Sequence, residues 1–585
     1  MTQDELLARL NGIEWNDFEC KRAQRGVPED SYKTVSAFAN TAGGWLVFGV
    51  SEQNGQLVVT GVEEPDKVQN DFLAALRGGQ KLSRAIAVDA HRFEINGNYV
   101  FAFHVPELTR WEKPAYLKGD PRQSYIRRGA GDEQCTQSEL ERFLRDAAQD
   151  RYDGTVLPDI PVDRCFDEAT VKWYQAQFVR RNPEHVEIVD PIEFLLNWNF
   201  VIEKGSDQLP TRAAVLLFGK GRYVRQVLPR PVLDYQRTDA PFDQWSAEER
   251  WHDRYVFEEN IFQTWQGLVT RYMRIAEHPF SLDPSTLRRN DDPPDYVAFR
   301  EAAINLLIHQ DYGDHGRKAS IKLFTDRTVF WNPGDAFATD AELLEPTEKE
   351  VRNPAIVKAF RRIGLSDQAG TGIRAIYRNW HELGRVPPQI RNDKARKEFG
   401  LVLINTPLVT EAMQRFRQTI GASLTPEQAN VLAFALEQAE GQPISLTDIR
   451  GLGIATTQQA KQAADHLVRQ QLLDPVSETL FQVREMLRQR FLQTTERLTP
   501  QVTPQVTPQV LTMLAQVSGA VTRQELMDAL GLKDRKHFAY AYLIPALDAS
   551  LLEMTVPNKP QSSKQRYRLT EQGLAVVEGV DKGIG

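Results

Sequence analysis

Three copies of T-P-Q-V stand end to end over residues 499–510, and no other stretch limits the fold more. Proline lacks an amide hydrogen and clashes with the turn before it. One proline every four residues therefore excludes helix and favours an extended spacer. The chain is divided there, with a separate small module beyond. Its length of 585 residues predicts three to five domains in all. A formal net charge of −8 excludes a basic nucleic-acid coat, so any nucleic-acid contact must use local patches. The three cysteines, Cys20, Cys135 and Cys165, are odd in number and far apart. That spacing argues against a zinc ribbon or a disulfide framework and fits a reducing compartment. The N-terminal segment has no apolar signal core, and no run of 18 apolar residues occurs. The expectation is a cytoplasmic protein with no membrane span.

Residues 299–312, F-R-E-A-A-I-N-L-L-I-H-Q-D-Y, read as one helical run. Within it Glu301 and Asn305 are four apart, so on a helix they share a face. An Asn oxygen suits a Mg²⁺ that also holds phosphate, and a neighbouring Glu can orient or deprotonate water. Alone, such a pair is most often the wet face of an amphipathic helix. Downstream, a β-rich run over 320–331 leads into Asn332-Pro333-Gly334. Then Gly370-Thr371-Gly372 opens another helix, over 373–380. A glycine turn before a helix presents unpaired amide N–H groups to phosphates.

This order of motifs resembles the GHKL-type (Bergerat) ATP-binding fold, in the divergent form that accompanies Schlafen-like domains. The resemblance covers about 295–405. It implies that Asn305 binds Mg²⁺, that Glu301 positions water and that Asn332, beside Gly334, reads the adenine edge. It also implies that Gly370, Thr371 and Gly372 lie against the phosphates. The wider superfamily carries Asp where Asn332 stands, and an Asn oxygen can still accept from the adenine amino group. Such units pair through their neighbours, which implies a homo-oligomer. His309 follows on the same helix, and Arg317, Lys318 and Arg352 are further cations near this region.

The first 150 residues show helix, turn and strand. A helix is predicted over 31–40, a turn at 41–44, a buried strand over 45–50 and a polar hairpin over 51–55. Strands follow near 85–93 and 99–105, then Y-I-R-R over 125–128. A helix over 136–147 opens with a capping box, Thr136 and Glu139. The patterns E-x₄-E-x-K, S-A-F-A-N-T-A-G-G-W-L-V-F-G-V and Y-I-R-R-G resemble the Schlafen-like AlbA domain. That family binds nucleic acid, and some members are metal-dependent RNA endonucleases using three carboxylates. By this resemblance Glu14, Glu19 and Glu52 would hold Mg²⁺ or Mn²⁺, with Lys21 neutralising the scissile phosphate. Arg127 and Arg128 would track the backbone. Catalysis and binding alone remain equal alternatives for the trio, since Lys21 can equally be a structural partner of Glu19.

The segment 151–294 connects, with a buried strand or helix near 213–219, a strand over 232–237 and a long amphipathic helix over 251–278. From residue 425 the pattern becomes helix, turn, helix, strand pair, the layout of a winged helix. Its second helix carries only Lys461 and Arg469 as cations, so docking is as good a reading as DNA binding. Beyond the repeats a second such module resembles the C-terminal winged helix of Fic-type proteins. Its cations Lys533, Arg535, Lys536, Lys564 and Arg566 suit phosphate contact, with protein docking as the alternative.

The expected architecture is α+β and multidomain. It comprises a Schlafen-like AlbA domain (1–150), a connecting region (151–294) and a GHKL-like α/β sandwich (295–410). A winged helix (422–485), a linker (486–510) and a second winged helix (511–585) complete it. The expected function is an ATP- and Mg²⁺-dependent nucleic-acid-processing protein, an endonuclease acting on RNA or single-stranded DNA, in antiphage defence. The alternative is a non-enzymatic, ATP-responsive DNA-binding transcriptional regulator.

Overall fold

The structure is a computed structural model. It describes all residues except 11–16, 54–55, 80, 149–150, 185–189, 247–250, 276–280, 283–288, 291–292, 346, 367–369, 411–412, 415, 417–419, 421–423, 439–441, 455, 478, 499–507, 515, 518, 531, 533–537, 539–541, 549–550, 556–564, 571–572 and 575–585. The chain forms two compact units, Met1–Arg488 and Gln489–Gly585.

The first unit begins with α1 (Gln3–Leu10), β1 (Phe18–Lys21), α2 (Ser31–Asn40) and β2 (Gly44–Phe48). Then come the hairpin β3 (Val50–Gln53) and β4 (Gln56–Val59), α3 (Pro65–Arg77), β5 (Asp89–Ile95) and β6 (Asn98–Val105). The hairpin β7 (Tyr125–Arg128) and β8 (Gly131–Gln134) and helix α4 (Gln137–Ala147) close this part. The central sheet runs β1-β2-β6-β5, with β1 parallel to β2 and the other pairs antiparallel. Strand alternation sends Leu46, Phe48, Phe101 and Phe103 to one face, where Phe38 of α2 and Phe72 of α3 cover them. Phe18, Val47, Val100 and Ala102 go to the other face, under Leu6 and Leu10 of α1. Each of these rings contributes roughly 1.5–3 kcal/mol by leaving water. Helix α2 is buried along nearly its whole length, so its polar groups need internal partners. Asn40 shows how this is met. Its Nδ2 donates to the Ala115 and Tyr125 carbonyls at 2.9 and 3.0 Å, and its Oδ1 accepts from the Ala115 amide at 2.7 Å. The expected capping box at Thr136 and Glu139 forms and starts α4.

The connecting region supplies α5 (Glu168–Arg181), α6 (Arg212–Phe218), β9 (Leu233–Arg237), β10 (Asp253–Phe257) and α7 (Ile261–Tyr272). Next come α8 (Pro294–His309), β11 (Ser320–Leu323), β12 (Arg327–Pro333), α9 (Pro354–Arg362) and α10 (Gly372–Glu382), then β13 (Gln389–Asp393) and β14 (Glu398–Ile404). These strands form one six-stranded sheet in the order β10-β9-β11-β12-β14-β13. One expectation fails here. The long helix predicted over 251–278 begins instead with strand β10, which pairs antiparallel with β9. The cause is local. D-R-Y-V-F alternates as a strand does, and Asn260 caps a new helix by accepting from the Gln263 amide at 2.9 Å. The ambiguous segment near 213–219 is helix, because Thr211 caps it through the Ala214 amide.

Beyond β14 lie α11 (Pro426–Glu437), α12 (Leu446–Gly451), α13 (Thr457–Arg469) and the strands β15 (Leu473–Pro475) and β16 (Leu480–Val483). The linker expected over 486–510 contains a helix. Residues Glu485–Leu498 form helix α14, since proline-free sequence precedes the repeats, while 499–507 lie outside the described residues. The last repeat opens α15 (Pro508–Leu514), with proline at its start, where a missing N–H costs nothing. In the second unit α16 (Arg523–Ala529) and the pair β17 (Leu552–Met554) and β18 (Tyr567–Leu569) enclose Met513, Leu526, Phe538, Leu551 and Tyr567. No described helix is long and apolar enough to cross a membrane.

Candidate functional site

Helix α8 lays Phe299, Ala303, Leu306 and Leu307 into the core and leaves Glu301, Asn305 and His309 in a line, four residues apart. Helix α10 packs against it so closely that a Cβ added to Gly372 would sit 3.2 Å from Asn305 Nδ2 and 3.5 Å from Glu301 Oε2. Larger residues at 372 would push into that pair. Gly370 has a φ of +67°, and a Cβ there would collide with the Thr347 carbonyl. Gly370→Ala is therefore expected to cost about 1–3 kcal/mol, read as a lower urea midpoint of the full chain. Gly334, at φ +98°, lies against Asp311 and Arg352.

These residues surround a cavity of about 150 Å³. Glu301, Asn305, Asn332, Gly334, Gly370 and Gly372 all line it, so six positions named from separate motifs converge. Thr371 is not among the lining residues. Asn332 is buried, and its Nδ2 donates to the carbonyls of Pro333 and Gly334 at 3.1 and 3.2 Å, which leaves its side-chain oxygen as the acceptor. Phe330, Phe337, Phe399 and Leu401 supply apolar wall.

The sequence reading named Arg352 near this region but missed Lys349, the other cation of the cavity's rim. Lys349 lines it and donates to the carbonyls of Glu345 and Thr347, and burial lowers its pKa. Arg352 also lines it. Asp335 stands opposite. Burial alone would raise that carboxyl, but Lys397 and Arg352 hold it at about 2. His309 is held down to about 4 by burial and then by Arg352, and it has no hydrogen-bond partner among the described residues. Helix α12 leans on the segment beside this rim: Arg450 Nη1 meets Glu345 Oε1 at 2.5 Å, and Gly451 sits against Tyr377.

The N-terminal carboxylate site looks different. Glu19 is buried on β1, and its two oxygens are held by Lys21 Nζ and Arg127 Nη2, both at 2.8 Å. Lys21 also meets Asp30 at 2.9 Å, and these acids outweigh its burial to raise its pKa. Arg127 is buried too. It adds Asp132 at 2.9 Å and the Phe18 carbonyl at 3.1 Å. Arg127 is thus interior, because Y-I-R-R packs against α2 and β1. Arg128 is half-exposed, and Glu133 and Glu139 hold it at 3.1 and 2.5 Å. Glu52 is exposed on β3, and Glu14 lies outside the described residues. Among the described residues no group of three acidic, histidine or cysteine side chains is placed to hold a metal. Lys533, Arg535, Lys536 and Lys564 lie outside the described residues as well. Arg566 is exposed, and its Nη1 donates to the Ala520 carbonyl at 3.0 Å.

Four segments match known families. Residues 14–136 match Schlafen AlbA_2, and residues 316–403 match HATPase_c_4, the recG C-terminal family. Residues 508–570 match the Fic-like (filamentation induced by cAMP) C-terminal domain, and residues 141–234 match a domain of unknown function, DUF8451. The HATPase match starts after α8, so Glu301 and Asn305 precede it. No curated protein matches the chain. Among solved structures, the DIP2311 protein of Corynebacterium diphtheriae is 17% identical over 97% of this chain and 98% of its own, with a TM-score of 0.37. The N-terminal domain of a RecG-related protein of Nitrosomonas europaea is 29% identical over 23% of this chain and 95% of its own, with a TM-score of 0.19. A Fic family protein of Desulfovibrio desulfuricans is 19% identical over 40% of this chain and 69% of its own, with a TM-score of 0.12. None of these TM-scores supports a shared overall fold. The family matches do establish the composition of the chain: it joins a Schlafen-type AlbA_2 domain to a GHKL-like HATPase domain and a Fic-like C-terminal domain.

Proposed function

We propose that this protein binds ATP in the cavity between α8 and α10 and engages nucleic acid through its AlbA_2 domain, with nucleotide setting that engagement. The observation that carries this reading is the contact of Gly372 with Asn305 and Glu301, in one cavity with Asn332. The donor set fits a nucleotide. The Asn332 oxygen faces an exocyclic amine, the apolar wall faces a base, and the first amides of α10 face phosphate. Asn305 and Glu301 fit Mg²⁺, which would neutralise phosphate charge when bound. In an isothermal titration with Mg-ATP, Asn305→Ala is expected to weaken binding at least tenfold, about 1.4 kcal/mol. Unchanged affinity would remove this cavity from the account.

The geometry favours an ATP-responsive binder, a DNA-binding regulator, over an endonuclease. Glu19 is committed to two cations, and a carboxylate so neutralised cannot also hold a metal without breaking buried ion pairs. The endonuclease reading, with Glu14, Glu19 and Glu52 as ligands and a role in antiphage defence, ranks second. Cleavage of RNA or single-stranded DNA with Mg²⁺ or Mn²⁺, lost in Glu19→Gln, would reverse that order.

A further inference from the structure

The wall of the cavity is shared with the N-terminal domain, and one residue belongs to both. Arg352 lines the cavity and is buried. Its Nη1 reaches Asp146 Oδ1 at 2.5 Å, near the end of α4. Its Nη2 donates to the Asp335 backbone oxygen at 3.2 Å and to Asp335 Oδ1 at 3.1 Å. Its Nε is buried against Gly334 with no acceptor among the described residues. A buried guanidinium with an unmet donor, on the wall of a cavity, is a group that an incoming anion would satisfy.

We propose that the end of α4 is a latch on this cavity, and that a polyphosphate bound there draws Arg352 from Asp146 and loosens the N-terminal domain. This rests on the cavity being the nucleotide site. The ion pairs around it are arranged so that the exchange strands no charge. Asp335 keeps Lys397 at 3.2 Å when Arg352 turns away. Asp146 keeps Arg110, whose Nη1 already donates to its backbone oxygen. Should Arg110 swing to the Asp146 carboxylate, Glu350 keeps Arg151 at 2.6 Å. Removing one partner of a buried pair is normally severe because it leaves the other charge alone. Here each acid has a second cation within reach, which gives the network two arrangements of comparable energy.

The second attachment of α4 makes it a reporter. Helix α8 runs from the cavity to His309, and Asp311 and Asp314 follow it. There Arg145 Nη2 meets Asp311 Oδ2 at 2.5 Å, and Arg142 Nη2 meets Asp314 Oδ2 at 3.1 Å. Three side chains of the last turns of α4 are thus tied to groups that line the cavity or follow its main helix. Linkage requires the converse: a looser latch must bind ligand more tightly.

The test uses the full chain and Mg-ATP. Hydrogen exchange over residues 137–147 is expected to speed up at least fivefold when Mg-ATP saturates the wild type. Asp146→Asn, which frees Arg352, is expected to bind Mg-ATP about tenfold more tightly, within the roughly 5–150-fold span of such couplings. It should also show the faster exchange without ligand. ATP binding with unchanged exchange over 137–147 overturns the latch and leaves the nucleotide site standing. Weaker or equal ATP binding by a folded Asp146→Asn also overturns it. Absence of ATP binding to the wild type overturns both readings. If Asp146→Asn fails to fold, the wild-type exchange result decides alone.

Discussion

Replacing Arg127 by alanine is expected to destabilise the N-terminal domain by about 3–5 kcal/mol, the usual consequence of breaking a buried ion network from one side. Arg127 answers Glu19 on β1 and Asp132 on β8, and it donates to the Phe18 carbonyl. Its backbone amide donates to Thr41 Oγ1 at 2.9 Å. The side chain also lies over the Phe38 ring, 5.2 Å from its centre. Removing it leaves two carboxylates short of a partner in a place where water cannot easily substitute. Domains are stable by only about 5–15 kcal/mol, so the loss is a large fraction. Arg128→Ala is the control. Its side chain is half-exposed, and the change is expected to stay within about 1 kcal/mol. Urea denaturation followed by tryptophan fluorescence separates the two. If Arg127 instead contacts phosphate, Arg127→Ala would leave the urea midpoint alone and lower the salt dependence of nucleic-acid binding by about one ion.

Arg127 also shows where sequence reasoning stops. The strand Y-I-R-R was legible, but the sequence presents a charge and not its partner, and Glu19 lies far away along the chain. Burial turned a surface cation into a core one. Around the cavity the reverse held. Glu301, Asn305 and Gly372 each carry a spacing or a backbone constraint that sequence exposes, and they meet in space. Lys349 carries no such mark, and Arg352 was visible only as one cation among several, because a lysine or arginine between helices is usually solvated. The docking of α4, together with Asp335, gives Arg352 its place. Strand β10 was hidden for another reason. Its aromatic residues continue into those of α7, and a period of two followed by one of 3.6 reads as a single amphipathic run until the Asn260 cap is seen.

Acidification should destabilise this protein through His309, and by a measurable amount. Burial and Arg352 hold the ring at about 4, while an imidazole in an unfolded chain titrates near 6.5. Well above pH 6.5 the ring is neutral in both states and contributes no difference. As pH falls from 6.5 towards 4, the unfolded chain takes up a proton that the folded chain refuses, so stability drops. The full drop is ~3.4 kcal/mol, and roughly 2–3 kcal/mol remains after allowing for the ring's opening onto the cavity. Asp153 works against it. Burial raises that carboxyl to about 6 despite the Ile356 and Ala355 amides it accepts. Between pH 6 and about 4 the folded chain therefore holds a proton there that the unfolded chain lacks, which is stabilising. Asp335, at about 2, loses its contribution only below that window. The His309 effect must accordingly be read as a difference. The stability of His309→Gln minus that of the wild type should rise by roughly 2–3 kcal/mol between pH 7 and pH 4, from urea midpoints at each pH. A flat difference would mean that the ring titrates normally and is not shielded by the cavity wall. Saturating Mg-ATP sharpens the test. A polyphosphate beside the ring favours its protonated form, so the difference should shrink when nucleotide fills the cavity and persist when nucleotide binds elsewhere.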